Sequence, residues 1–411
     1  MKTDNILVLG AGVLQVPLIK RIIQRGYNPV VVSLHETEPG MQLVTNKVVA
    51  DFCNEEDILE IAQRYNVCGV VTDQTDLPVR TIAYVCERLK LPGIDYRTSC
   101  IFTDKYQMRK QLERLGLPVL KYALIPTYES ALAFMNDVGG PIIIKPTNNQ
   151  GSKGVYKISN VHELRKKYDL AVSYSRGFPV MAEEFVSGDE VVVEGVACDG
   201  FIDNLVWGDT FYFDIPDVFS AKQRIFPSKQ PDQILEKIKK RNLEIIEGFG
   251  LKRGLTHAEY IIVDGEVYLI EIAARGGGVY ISSDIIPLMT GFDTTNFIID
   301  SAITDKTISL PKTCDLNKVV SYISFFLPEG IIVRLEGIKN VQSLPFVHQN
   351  NLNTLNVGKV MGPNTDKTTR LFIVLEAANY EEMEQRIDYI HSILSIETMR
   401  DDATISGIIW K

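Results

Sequence analysis

The chain has 411 residues, a formal net charge of −9, 45% hydrophobic and 23% charged residues. That is the balance of a soluble globular protein too long for one ordinary core, with about two to four domains expected. The acidic balance excludes non-specific nucleic-acid binding and leaves room for a local basic cleft that meets phosphates. No apolar run reaches the length of a membrane span and the N-terminus has no signal-peptide pattern, so no membrane contact and a cytoplasmic location are expected. Cys53, Cys68, Cys86, Cys100, Cys198 and Cys314 show neither a C-x-x-C pair nor zinc spacing and read as reduced thiols.

Asn5 to Leu9 reads as a buried strand running into the glycine turn Gly10-Ala11-Gly12 and a helix from Leu14 to Arg25. A strand from Pro29 to Leu34, a helix from Glu55 to Tyr65, a strand from Cys68 to Thr72 and a helix from Leu77 to Leu89 continue the alternation of a small doubly wound α/β domain. Its glycines approach a dinucleotide fingerprint, and Glu36 is available for a ribose, which keeps a nicotinamide or flavin oxidoreductase as a rival. Gln15 stands where the third Gly or Ala belongs.

Thr103 is the expected N-cap of the next helix. Lys105 in its first turn opposes the helix dipole, so its ammonium is expected to find a partner elsewhere. Pro141 to Pro146 is a short buried strand on which Ile143 and Lys145 face the same way, an apolar floor beside a charge. Gln150-Gly151-Ser152-Lys153-Gly154-Val155 then reads either as an ordinary hairpin turn or as a loop whose N–H groups turn onto phosphate oxygens. Val180 to Val186, with Glu183, Glu184 and Phe185, reads as a strand able to offer its main chain to a flat heterocycle, with Glu190 beyond it placed to accept from a sugar hydroxyl. Ala221 to Arg224 adds positive charge that either meets a phosphate or acidic substrate or lines a solvated strand edge.

Glu259 to Gly278 is a hairpin turning at Asp264-Gly265, followed by Arg275 and three glycines. A two-residue turn pairs Glu259 with Ile270 and sends Glu271 to the other face. A three-residue loop, Val263 to Gly265, keeps Glu259, Leu269, Glu271, Ala273 and Arg275 on one face and puts His257 opposite Glu271. In that register the two carboxylates suit Mg²⁺ or Mn²⁺, completed by phosphate oxygens and water; otherwise the hairpin simply exposes two glutamates. Beyond Lys312, strands at Val319 to Leu327, Ile331 to Leu335 and Leu371 to Ala377 and a helix from Tyr380 to Leu394 suggest an α+β domain.

Taken together, these motifs resemble the ATP-grasp superfamily of carboxylate-amine ligases over roughly Met1 to Thr304. The resemblance implies an α/β and α+β architecture: a doubly wound N-terminal domain (1–97), a lid subdomain with a linker helix (98–186), a central sheet carrying the metal and phosphate site (187–312) and an appended C-terminal α+β domain (313–411). It implies that Lys105 and Lys145 meet ATP phosphates and that Gly151, Ser152, Gly154 and Val155 belong to a flap over them. Glu183, Glu184, Phe185 and Val186 would hydrogen-bond adenine, Ile143 and Ile261 would sandwich it, and Glu190 would bind ribose. Glu259 and Glu271 match the Mg²⁺ ligands and Arg275 the arginine that steadies the transferring phosphoryl group.

The usual E-x-N-x-R pattern reads Glu271-Ile272-Ala273-Ala274-Arg275 here, so one metal ligand is missing. That version is similar to the L-amino acid ligase branch, the bacilysin-type dipeptide synthetases, as is the Gly276-Gly277-Gly278 run; backbone amides there, Gly277 included, are expected to hold a substrate carboxylate or oxyanion. The implied reaction is carboxylate activation by Mg·ATP to an acyl phosphate, then amide formation with an amine, both partners being small molecules. The C-terminal domain would wall the substrate pocket or carry a homodimer contact. Alternatives are a phosphoribosylamine-glycine ligase, a purine or biotin type carboxylase, and a nucleotide-binding module without turnover.

Overall fold

In the computed structural model the described residues are 4–149, 151, 153–215, 218–304, 308, 310, 317–363 and 369–410. The first sheet is parallel, its strands in the order Asn46–Val49, Asn28–Ser33, Asn5–Leu9 and Val67–Val71. These strands are apolar on both faces because helices cover both. Leu7, Leu9, Val30 and Val32 pack beneath the helices Glu55–Tyr65 and Val79–Leu89. Ile6, Val8 and Val31 pack beneath Val16–Gln24 and beneath Thr294–Ile303, which returns from much later in the chain. A Cβ on Gly69 would lie 2.7 Å from the Ala302 carbonyl, so that helix sits close on the sheet.

The glycine turn has no vacancy for a pyrophosphate. The buried Gln15 side chain folds over it and donates through Nε2 to the Asp73 carbonyl at 2.7 Å, while a Cβ on Gly12 would stand 3.2 Å from its Oε1. The oxidoreductase reading loses its phosphate seat on that observation. Among the described residues no helix is long and apolar enough to cross a membrane. The five described cysteines are free, and Cys314 lies outside the described residues.

Helix Lys105–Arg114 is capped by Asp104, whose carboxylate accepts from the Tyr106 and Gln107 N–H groups at 2.9 and 3.0 Å. The expected cap, Thr103, instead closes the preceding helix Tyr96–Thr103. A small antiparallel sheet follows, ordered Tyr122–Leu124, Val180–Glu184, Ile142–Pro146 and Tyr156–Ile158. Ile142, Ile144, Ile158 and Ala182 bury against the helices Tyr128–Val138 and Val161–Ser173. Alternation leaves Ile143, Lys145 and Glu183 together on the other face, Ile143 directly opposite Glu183.

The central sheet has eight antiparallel strands in the order Glu266–Ala273, Arg253–Val263, Asp189–Cys198, Phe201–Tyr212, Ala221–Phe226, Val319–Phe325, Leu371–Ala377 and Val347–Asn350. Ala221–Phe226 is therefore an interior strand, not the solvated edge that its charges suggested, and three of the C-terminal strands, Val319–Phe325, Leu371–Ala377 and Val347–Asn350, extend the central sheet. The remaining C-terminal strands, Gly330–Glu336, Val360–Met361, Ser395–Met399 and Ile405–Ser406, make a second sheet, and helix Tyr380–Ile393 closes a core shared between the two. One face of the central sheet is sealed by helix Asp232–Phe249 over Val191, Val193, Ala258, Tyr260, Leu269 and Ile272. The other carries the polar residues described next, with Tyr280 to Met289 packed over its apolar part.

Candidate functional site

The hairpin turns in two residues. Asp264 and Gly265 both adopt left-handed backbone, φ 50° and 77°, and Val263 pairs with Glu266. With that turn alone Glu271 would point away from Glu259. An extra residue, Ile270, bulges between the pairs Tyr260–Leu269 and Glu259–Glu271 and shifts the register back. The expected three-residue loop is wrong, and the consequence drawn from it survives through the bulge: the carboxylates face each other directly. Two further details change. Leu269 joins Tyr260 in the apolar face, and His257 lies opposite Ala273 and not Glu271.

Each carboxylate is met by a cation from elsewhere. Lys105 Nζ lies 2.8 Å from Glu271 Oε1 and donates to the Asn149 carbonyl at 2.6 Å, the partner that its position against the helix dipole required. Arg224 is ion-paired with Glu259. One turn after Lys105 on the same helix face, the buried Arg109 donates from Nε to Glu183 at 2.6 Å and from Nη2 to the Ile270 carbonyl at 2.5 Å. The residue that sets the bulge is thus tied to the small sheet, whose polar face turns toward the hairpin.

Lys145 shares Glu183 with Arg109. Burial pushes the Lys145 ammonium below its ordinary pKa even with Glu183 beside it. Burial would also raise Glu183, but Arg109 and Lys145 outweigh it and hold the carboxyl down at about 2. Glu184 does not reach into the cleft: its Oε1 accepts from the Lys121 N–H at 2.8 Å. The Glu184 and Phe185 N–H groups bond the Lys121 and Pro141 carbonyls at 2.9 and 3.0 Å. Strand geometry ends at Glu184, so the expected strand through Val186 is two residues too long. In the loop after Lys145, Gly151 and Gly154 have φ of 69° and 77°, and a Cβ on Gly154 would meet the Tyr174 Cβ at 2.8 Å. Val155 follows half-buried, while Gln150 and Ser152 lie outside the described residues.

On the central sheet Glu190 is opposite Ile261, two positions from Glu259. Its carboxylate accepts from Tyr212 OH at 2.5 Å, and burial, reinforced by the nearby Glu259 charge, pushes it up to about 7. Arg275 is gripped by Asp76, which follows the last strand of the parallel sheet. Its Nε and Nη2 donate to the two oxygens of Asp76 at 2.7 and 2.8 Å, and its Nη1 donates to the Gly276 carbonyl at 2.9 Å. Burial opposes ionisation of Asp76, yet Arg275 holds its carboxyl below the usual range. The Gly277 N–H is taken by Glu194 Oε2 at 2.9 Å, so it is not presented to a substrate as expected. The other Glu194 oxygen bonds His257 Nδ1. A Cβ on Gly277 would lie 2.3 Å from Glu194 Oε1, and one on Gly276 2.2 Å from Ser282 Oγ, so both glycines are needed for close approach.

Residues 138–284 match the family model of the ATP-grasp domain. That segment belongs to the ATP-grasp family. The whole chain is similar in fold to the L-amino acid ligase structure from Bacillus licheniformis, with a TM-score of 0.79 at 20% identity over 96% of this chain and 99% of that one. It is likewise similar to the phosphoribosylglycinamide synthetase structure from Anaerococcus prevotii, with a TM-score of 0.73 at 16% identity over 96% and 99% of the two chains. In sequence it is 27% identical to the alanine–anticapsin ligase of Bacillus subtilis over 281 residues, 62% of this chain and 58% of that protein. The chain thus spans a little over half the length of the curated relatives it matches first.

The donor set fits a divalent cation only in part. Glu259 and Glu271 offer facing, all-oxygen ligands, while Ala273 offers none, and among the described residues no group of three or more His, Cys, Asp or Glu side chains converges. That suits an ion that takes its other ligands from nucleotide phosphates and water. Residues not anticipated are Arg109, Asp76, Glu194 and the specific pairing of Arg224. Signals existed for three of them: Arg109 falls four residues after Lys105, Glu194 interrupts an apolar strand as Glu259 does, and Asp76 lies past the carboxyl end of a parallel strand, where ligand sites form.

Proposed function

We propose that the protein is an ADP-forming ligase that uses Mg·ATP to activate a substrate carboxylate as an acyl phosphate and couples it to an amine, with amino acids as substrates. The observation that carries this reading is the facing of Glu259 and Glu271 across the bulged hairpin, with Lys105 reaching Glu271 from the start of helix Lys105–Arg114. Glu259 and Glu271 would hold a Mg²⁺ or Mn²⁺ ion, which when bound would supply charge neutralisation for the nucleotide phosphates. Lys105 and Lys145 would exchange their carboxylate partners for phosphates, and Ile143 and Ile261 would flank the base. Glu190 would take a ribose hydroxyl.

Arg275, fixed by Asp76, would keep its charge near the transferring phosphoryl group. The substrate carboxylate oxygen attacks the γ-phosphorus, ADP leaves, and the amine then displaces phosphate from the acyl carbon while losing a proton. Such chemistry needs positioning and charge neutralisation, not a nucleophilic side chain. Closure of the loop around Gly151 and Gly154 would keep water from the acyl phosphate. The likeness to proteins named for joining amino acids supports the amino-acid substrates. The test is release of ADP and phosphate across amino-acid pairs. The reading expects release that needs both amino acids and disappears in Arg275→Ala; release driven by bicarbonate without an amino acid would overturn it in favour of a carboxylase.

A further inference from the structure

Loop 73–76, which follows the parallel strand Val67–Val71, grips the segment after the hairpin at both ends. Asp76 takes the Arg275 guanidinium at the near end. At the far end the buried Gln74 accepts through Oε1 from the Tyr280 N–H at 2.9 Å, while its Nε2 donates to the Leu14 carbonyl at 3.1 Å and to Ser283 Oγ at 3.3 Å. Between the grips run Gly276, Gly277, Gly278 and Val279. Val279 and Tyr280 both take left-handed backbone, φ 53° and 64°, and Val279 is the only β-branched residue among the described non-glycine positions with positive φ. A branched Cβ makes that conformation costly, so surrounding contacts have to impose it. A π turn follows directly over Ile281–Ile285, with the Ile285 N–H bonded to the Tyr280 carbonyl at 3.0 Å. Such turns are rare and concentrate at functional sites. The buried Tyr280 ring stands 5.1 Å from that of Phe372, centroid to centroid, which anchors the side chain and leaves Gln74 to hold the main chain. Without the Gln74 oxygen a buried N–H is unpaired in strained backbone, and both effects favour a shift of the segment.

We infer that Gln74 is a positioning residue: by holding Tyr280 in the left-handed conformation it fixes the far end of the glycine span whose near end carries Arg275. The inference rests on the ligase reading for what Arg275 does. Three successive glycines impose little conformation of their own, so the path of the span is set by what holds it. Glu194 bonds the Gly277 N–H between the grips, and Gln74 supplies the hydrogen bond that reaches the strained residues beyond it. Asp76 orients the guanidinium, and Gln74 keeps the main chain that carries Arg275 from drifting under it. A small displacement of such a group is enough to lower the rate of a positioned reaction.

The test compares wild type with Gln74→Met, which keeps the length of the side chain and removes its hydrogen bonds, and with the double variant Gln74→Met/Val279→Asn, since asparagine enters left-handed backbone more readily than valine. Hydrogen exchange of the full chain, read by mass spectrometry on peptides covering 276–285, should be about 10-fold or more faster in Gln74→Met and return part of the way in the double variant, with strand Val67–Val71 unchanged. With an amino-acid pair that supports turnover, Gln74→Met should lower kcat by about 10-fold or more while the KM for ATP stays within about 2-fold, and the double variant should recover about 3-fold or more of that loss. Exchange or kcat within about 2-fold of wild type in Gln74→Met, a KM that rises in step with the loss of kcat, or no recovery in the double variant would each overturn the inference. If Gln74→Met does not fold, Gln74→Asn, suited to the left-handed φ of 59° at position 74 and too short to reach Tyr280, is read against the same outcomes. Absence of turnover with every amino-acid pair would overturn the ligase reading alone, because exchange judges the hold on the segment without a substrate.

Discussion

Replacing Arg109 with methionine leaves the Glu183 carboxylate buried with Lys145 as its remaining partner and removes the donor to the Ile270 carbonyl. Arg109 and Lys145 together hold Glu183 at about 2 against an ordinary 4.5, a difference worth roughly 3 kcal/mol, and breaking a buried ion pair costs about 3–5 kcal/mol. For a chain of 411 residues, whose unfolding entropy is about 2 cal/mol/K per residue, a loss near 3 kcal/mol lowers Tm by about 3–4 °C. Because the folded pKa lies below the unfolded one, the stabilisation is complete above about pH 4.5 and fades as pH falls toward 2. Scanning calorimetry of wild type and Arg109→Met from pH 7 to about pH 3 should show a gap that is constant at first and then narrows. A gap below about 1 °C at pH 7, or one unchanged at the acid end, would refute the reasoning.

Glu259→Gln and Glu271→Gln should each lower Mg²⁺-dependent ADP formation by more than about 100-fold, since even partners of metal ligands are worth 10–100-fold; metal titration of the residual rate checks it. Asp76→Asn breaks the two-oxygen grip on Arg275 and should cut kcat with little change in the KM for ATP, by about 10-fold or more, measured in steady state. Gly277→Ala drives a methyl into Glu194 and should cost about 1–3 kcal/mol in denaturant unfolding. Glu190 has its folded pKa raised from 4.5 to about 7, so its ionised form opposes folding: Glu190→Gln should be more stable than wild type above pH 7, by up to roughly 3 kcal/mol, with the advantage lost as pH falls toward 4.5.

What could be read without coordinates followed local rules. Alternating apolar strands and helices located the parallel sheet, and the residue types at Lys105, Lys145, Glu259, Glu271 and Arg275 marked the positions on which the proposed phosphate and metal site rests. What could not be read depended on distant segments. The bulge at Ile270 is invisible in an alternating run and is held by Arg109, which is 161 residues away in sequence. The placement of Ala221–Phe226 in the sheet interior is decided by its pairing with Val319–Phe325, nearly a hundred positions later. Gly277 looked like a substrate-binding amide because the carboxylate that occupies it, Glu194, comes from a different strand. Asp104 took the cap from Thr103 through a neighbouring helix that ends one residue earlier.

The most direct test of acyl phosphate chemistry at this site follows an oxygen atom. With the carboxylate substrate labelled with ¹⁸O, Mg·ATP turnover should deliver one labelled oxygen to the released phosphate, because the carboxylate attacks phosphorus and the amine later breaks the carbon–oxygen bond. Transfer should fall together with ADP formation in Glu271→Gln. Phosphate free of label, or labelled phosphate formed at the wild-type rate in that variant, would contradict the account.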